Sequence, residues 1–240
     1  DAVGEGVTGV QVGDVLCGLV NAPLPGGGYA EYCVAPAQDL VAAPAVLSPA
    51  HAAGLPLAGL TAWQALFDAG QLQPGERVLV LAGAGGVGHL ATQLAKWKGA
   101  RVTGSASAAN RDFLLQHGVD QPLDYQQTGW EQAGPWDLIL DLMGGAVGLQ
   151  ALDGLASGGR LVTVPTNTAA QITQRGAELG KTVLGVLVRP QREALQQLVA
   201  LVQSGRLNLH VSATFPLEQA AAAHRQLETG RTRGKLVLVP

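Results

Sequence analysis

The run Arg77-Val-Leu-Val-Leu-Ala-Gly83-Ala-Gly85-Gly86-Val87-Gly88-His89 carries three glycines, Gly83, Gly85 and Gly88, at the G-x-G-x-x-G spacing. With 33 glycines in the chain a chance match is easy, so context decides. Here the motif follows an apolar strand and opens a helix, which is the setting that gives it chemical meaning. The spacing assigns Gly83 to a tight turn, Gly85 to close approach of the backbone to a pyrophosphate, and Gly88 to close helix–strand packing. Unpaired N–H groups at the helix start then face the phosphates. A plain βα turn in a flavodoxin-like sheet is the alternative, and the strand–turn–helix context favours the dinucleotide.

The end of the following strand bears on which dinucleotide. Sites for NAD place a carboxylate about 20 residues on, to hold the ribose 2′-OH. The stretch Gly104-Ser105-Ala106-Ser107-Ala108-Ala109-Asn110-Arg111 has none before Asp112. Ser105 and Ser107 offer hydroxyls, and Arg111 offers a planar fork suited to a 2′-phosphate. These residues point to NADPH. The competing reading makes Ser107 a helix cap and Arg111 a solvated helix residue.

Other chemistry is thinly represented. His51, His89, His117, His210 and His224 are scattered, with no pair at zinc-helix spacing. His89 directly follows the glycine loop, where a first-turn polar residue is the plainer reading. Cys17 and Cys33 are too few for a disulfide framework or a four-cysteine zinc site, and read as buried free thiols. Asp141 ends a strand beside Gly144-Gly145, which suits a turn better than acid–base work. No G-x-S-x-G elbow occurs.

The elements around the motif alternate. Strands are expected at Arg77–Ala82, Arg101–Ser105, Pro122–Tyr125, Leu138–Asp141 and Arg160–Val164. Helices are expected at Val87–Trp97, Ala109–His117 and Ala146–Ala156. Strands alternating with helices of this length imply right-handed βαβ units and a parallel sheet covered on both faces. Thr182–Val188 reads as a further strand, Gln191–Gln203 and Pro216–Leu227 as helices, and Lys235–Val239 as a closing strand. Residues 1–45 read as β structure, with a strand at Tyr29–Val34. Ser48 is placed to cap a short helix.

Composition excludes several classes. Of the 240 residues, 47% are apolar and 14% charged, so a packed core is expected rather than disorder. The net charge of −3 comes without a basic block, which argues against a nucleic-acid partner. The longest run without polar side chains, Val78–Gly88, falls well short of the roughly 20 apolar residues of a membrane span, so no membrane partner is expected. A reduced, cytoplasmic protein is the expectation.

Together these stretches resemble the medium-chain dehydrogenase/reductase superfamily, in its zinc-independent quinone oxidoreductase-like branch. The resemblance rests on Val3-Gly4-Glu5-Gly6-Val7 with Val12-Gly13-Asp14, Gly28-Tyr29-Ala30-Glu31-Tyr32, Leu55–Trp63, Ala82–Gly88 and Arg233-Gly234-Lys235. It implies an α/β fold: a Rossmann doubly wound parallel sheet plus a partial GroES-like β-barrel domain. It implies residues 1–50 in the partial barrel domain, 51–189 in the Rossmann domain and 190–240 returning to the first, with the active site in the cleft between them. Family members extend further before the Val-Gly-Glu-Gly stretch, so the chain is expected to be a fragment or a truncated gene product.

By position, the resemblance implies Thr61 near the nicotinamide and Gly85, Gly86 and Val87 in the pyrophosphate loop. It places Arg111 on the 2′-phosphate and Tyr125 at the adenosine end. It gives Leu142, Val164, Pro165 and Leu187 to the nicotinamide side, where the alternative is ordinary core. Zinc-dependent relatives have a Cys ligand four residues before the threonine; here Leu57 stands there, so no metal is expected. The implied activity is NADPH-dependent hydride transfer to quinones or other α,β-unsaturated carbonyls. A quinone needs no strong protein acid. An enone needs a donor for its enolate oxygen, for which Tyr29 and Tyr32 are candidates. An enoyl reductase domain of a larger synthase and a non-catalytic NADPH-binding module are the alternatives. Relatives pair through the Thr182–Val188 edge, which implies a homodimer.

Overall fold

A computed structural model describes residues 1–240. In chain order it contains β1 (Leu16–Gly18), β2 (Leu40–Ala42), α1 (Pro49–Ala52), α2 (Leu55–Trp63), β3 (Arg77–Val80), α3 (Gly88–Trp97), β4 (Arg101–Ala106), α4 (Arg111–Gln116) and β5 (Gln121–Asp124). There follow β6 (Trp136–Asp141), α5 (Gly145–Ala151), β7 (Leu155–Thr163), α6 (Thr166–Glu178), β8 (Thr182–Gly185), α7 (Arg192–Gln203), β9 (Val211–Pro216), α8 (Ala220–Glu228) and β10 (Lys235–Val239). The chain forms two compact units, one of residues 1–60 with 188–240 and one of residues 61–187. No helix is long and apolar enough to cross a membrane.

The unit of residues 61–187 is built on one sheet, in the order β5-β4-β3-β6-β7-β8, with every neighbouring pair parallel. This is the doubly wound Rossmann order, with its topological switch between β3 and β6. Val78, Leu79 and Val80 are all fully buried. Successive strand residues face opposite sides, so burial of all three means both faces are covered. One side of the core gathers Leu79, Leu81, Ile139, Leu161 and Ile172 with Trp136. Each such side chain contributes about 1.5–3 kcal/mol by leaving water. The Trp136 ring nitrogen donates to Thr103 Oγ1 at 3.2 Å, so burial leaves its N–H satisfied.

The start of the sheet is tied by charge. Arg160, on β7, donates to both oxygens of Glu76 at 2.6 and 2.8 Å and to the carbonyls of Gly70 and Asp137 at 2.6 and 3.0 Å. Arg77 holds Asp137 through two side-chain bonds of 2.9 and 3.1 Å. The Arg160 hydrogen bonds hold the Glu76 carboxyl below the usual carboxylate range, and the Arg77 bond does the same for Asp137. Groups whose folded pKa is depressed stabilise the fold above their unfolded value, near 4, and lose that contribution as pH falls through the lowered folded value. The thermal midpoint should therefore fall as pH drops below about 4.5. Glu76→Gln should lower the midpoint at pH 7 and matter much less at pH 3. An equal loss at both pH values, followed by circular dichroism, would contradict the assignment.

The unit of residues 1–60 and 188–240 carries two small sheets, β1–β2 antiparallel and β9–β10 parallel. Ser48 caps α1 as expected, its Oγ accepting the His51 N–H at 3.3 Å. The expected strand at Tyr29–Val34 does not form. No strand lies alongside to complete its ladder, and Tyr29, Tyr32 and Val34 stand in solvent. β9, absent from the sequence reading, alternates half-buried and exposed residues and gains its partner only from β10. The expected division after residue 50 falls inside α1, whereas the compact units part at Leu60/Thr61.

Candidate functional site

Because all six strands of the sheet are parallel, the segments that follow them emerge at one edge. The loop Leu81–Val87 leaves β3 at the centre. Ala82 takes a left-handed conformation, φ 51°, and its carbonyl accepts the Gly85 N–H at 2.9 Å. The motif assigned the tight turn to Gly83; the structure places the left-handed residue one position earlier. Gly83 instead serves packing, since a side chain there would meet Leu114 at 2.9 Å. Gly88 has the tightest surroundings of the loop: a Cβ would lie 2.1 Å from the Ala82 carbonyl oxygen.

The N–H groups of Gly86, Val87 and Gly88 donate to no backbone carbonyl, and Val87 caps α3 with no side-chain bond. Gly85, Gly86 and Val87 are only half-buried. Open N–H groups on a helix start, beside glycines that let another backbone-sized group approach, fit a pyrophosphate. This is a cradle of the donor chemistry a dinucleotide requires.

The remaining expected residues fall along the same edge in strand order. Tyr125 follows β5 and is exposed. Ser107 and Arg111 follow β4; Arg111 is exposed and makes no ion pair, and Ser107 Oγ accepts from Asn110 Nδ2 at 3.1 Å. Leu142 follows β6 and Val164-Pro165 follow β7, all half-buried, and Leu187 lies two residues beyond β8, exposed. Ser105 departs from this set. It is buried, its Oγ accepts the Ala82 N–H at 3.3 Å, and its carbonyl accepts the Gly83 N–H at 2.8 Å. An inward-facing position on β4 makes it an anchor of the glycine loop rather than an open hydroxyl. Asn110 was not singled out by sequence, though its place directly before Arg111 is the signal that points to it. Thr61 is buried in α2.

Asp141 is fully buried. Its Oδ1 accepts the N–H groups of Met143 and Gly144 at 2.9 and 2.8 Å, and its Oδ2 accepts the Thr163 hydroxyl at 2.9 Å. The carboxylate thus ties the ends of β6 and β7, the turn role the sequence favoured. Tyr29, in the other unit, has its hydroxyl 2.7 Å from His224 Nε2.

With this geometry in view, a family model described as zinc-binding dehydrogenase matches residues 117–238. A chloroplast envelope quinone oxidoreductase homolog of Arabidopsis thaliana is 32% identical, over 99% of this chain and 76% of its own length. The structure of the quinone oxidoreductase from Coxiella burnetii superposes with a TM-score of 0.91 at 38% identity, over 98% of this chain and 75% of that one. The chain belongs to the medium-chain dehydrogenase/reductase superfamily. Its relatives place it in the quinone oxidoreductase-like branch. A mycobacterial protein solved as a complex with NADPH shares the fold at a TM-score of 0.76 and 28% identity, over 89% of this chain and 71% of that one.

The matching family model is described as zinc-binding, but the residues present do not fit that ion. A catalytic zinc needs about three protein ligands. No three His, Cys, Asp or Glu side chains converge, and the apolar side chain of Leu57 is half-exposed on α2. Cys17 is buried in β1, where desolvation pushes its thiol up to about 11, far from a ready thiolate; Cys33 is exposed rather than buried as expected.

Proposed function

We propose that this medium-chain reductase is NADPH-dependent and zinc-independent, and reduces quinones or other α,β-unsaturated carbonyls. One observation carries the reading. The open N–H loop after β3 is flanked by Arg111 and Tyr125 on the β4–β5 side and by Leu142, Val164, Pro165 and Leu187 on the β6–β8 side. That polarity matches a dinucleotide laid across the switch point, adenosine end over β4 and β5.

When bound, the reduced nicotinamide supplies the hydride; the protein supplies binding, orientation and a dry face. Gly86, Val87 and Gly88 donate N–H groups to the pyrophosphate. Arg111 pairs with the 2′-phosphate, with Ser107 and Tyr125 as further hydrogen-bond donors. Leu142, Val164, Pro165 and Leu187 would line the nicotinamide end with apolar surface.

Arg111→Ala should weaken NADPH binding by about tenfold to a hundredfold, the worth of one charge-assisted bond of roughly 1.5–3 kcal/mol, and leave NADH binding nearly unchanged. Titration of wild type and variant with both cofactors decides it. Equal losses for the two cofactors, or none for either, would remove Arg111 from the phosphate site.

β8 is an outer strand of the sheet, and Leu184 on it is 36% exposed. An apolar sheet edge invites pairing with another chain, and a two-fold homodimer through β8 completes the proposal. Light scattering should give twice the chain mass at tens of micromolar; a monomer there would exclude the dimer.

A further inference from the structure

His89, the first residue after the glycine motif, is fully buried, where a polar residue on a first helical turn is expected to face solvent. Its ring lies edge-on to His117, with centroids 5.8 Å apart, and 6.5 Å from Phe113, which in turn stacks on His117 at 4.1 Å. Phe113 lies on α4 and His117 directly follows it, so α4 and its C-terminal end close over the imidazole. Nδ1 of His89 lies 2.9 Å from the Gly85 carbonyl oxygen, which fixes this nitrogen as the N–H donor, since a carbonyl only accepts. The backbone N–H of His89 reaches the same oxygen at 3.1 Å.

Two donors on one carbonyl have a consequence at the next residue. The Gly85 carbonyl and the Gly86 N–H belong to one planar trans peptide, so they point in opposite directions. Turning the Gly85 oxygen back onto the helix start therefore aims the Gly86 N–H away from it. That N–H has no acceptor in the protein, and glycines on both sides of the bond leave its orientation otherwise loosely set.

We propose that His89 is a positioning residue for the dinucleotide: it locks the Gly85–Gly86 peptide so that the Gly86 N–H is preset toward the pyrophosphate. The inference rests on the dinucleotide reading of the loop. The imidazole touches no cofactor atom itself. Its contribution falls on the half of the cofactor shared by NADPH and NADH, which separates it from Arg111.

The test compares His89→Leu, His89→Asn and His89→Gln in the full chain. Leucine fills the space without a donor. Asparagine places its amide nitrogen where Nδ1 stands and keeps the bond, whereas glutamine carries its donor one bond too far. Two readouts are taken: amide exchange at residues 89–91 of the unliganded protein, and titration with NADPH and with NADH. His89→Leu and His89→Gln should speed exchange and weaken both cofactors alike by about tenfold, while His89→Asn stays within about twofold of wild type. Wild-type exchange and affinity in His89→Leu would overturn the proposal. So would a loss in His89→Asn as large as that in His89→Leu. Should wild type bind neither cofactor, the dinucleotide reading fails and the proposal with it, even if the exchange data uphold the His89–Gly85 bond.

Discussion

Gly88→Ala should abolish measurable dinucleotide binding and lower the thermal midpoint by about 10 °C. The added methyl would sit 2.1 Å from the Ala82 oxygen, 2.9 Å from the Ala82 carbonyl carbon and 2.8 Å from the Gly83 Cα. All three are backbone atoms, so no side chain can swing aside. The first turn of α3 would have to move off the end of β3. Overpacking a well-filled site costs typically 1–3 kcal/mol, and a backbone clash stands at or beyond the upper end. Moving the helix start also displaces the Gly86, Val87 and Gly88 N–H groups together, a loss of more than about a hundredfold in affinity. Gly85→Ala is the internal comparison. Its Cβ would meet the Ala82 oxygen at 3.2 Å and the Ala82 Cβ at 4.0 Å, so affinity should fall with little change in midpoint. Calorimetry and a cofactor titration on both variants check this, and a Gly88→Ala protein with wild-type midpoint and affinity would show the loop is built differently.

The second large effect is expected at Asp141. Alanine there strands three donors, the N–H groups of Met143 and Gly144 and the Thr163 hydroxyl. The Gly144 and Thr163 donors are buried, and an unsatisfied buried donor costs about 1–3 kcal/mol, so a total loss of roughly 2–5 kcal/mol follows. Asp141→Asn keeps one oxygen for the two N–H groups and turns an amide toward Thr163, whose hydroxyl then accepts. It should recover most of the stability and, with it, cofactor affinity and turnover. A stable Asp141→Asn protein without turnover would instead make the carboxylate a proton carrier, contrary to the turn role.

Much of the sheet was legible because buried parallel strands are written as continuous apolar runs. Val78–Leu81 and Leu138–Leu140 could sit nowhere but inside. The placement of Arg111, Tyr125, Leu142 and Val164 at one edge follows from strand alternation once the topology is known. What was not legible depends on partners far along the chain. Tyr29–Val34 has strand-like residues, but β structure needs a neighbour and none is there. β9 has modest propensity and gains its ladder from β10. α6 has a single large apolar residue along Thr166–Gln174 and is held by a narrow buried face at Ile172 and Gly176, so no long apolar stripe announced it. Ser105 shows the limit at the site itself. Its type suited a phosphate, but the inward side of β4 turned its hydroxyl onto Ala82. Ala82 shows another: the glycine spacing marks a turn without saying which residue takes the left-handed conformation.

The most direct test of the proposed activity is NADPH oxidation by the purified protein against a panel of quinones and enones, run in parallel with NADH and in the presence of a metal chelator. NADPH should be consumed in step with reduction of at least one acceptor, faster than NADH by about tenfold or more, and unaffected by the chelator. NADPH that binds but is never oxidised across the panel, or turnover that the chelator abolishes and zinc restores, would contradict it.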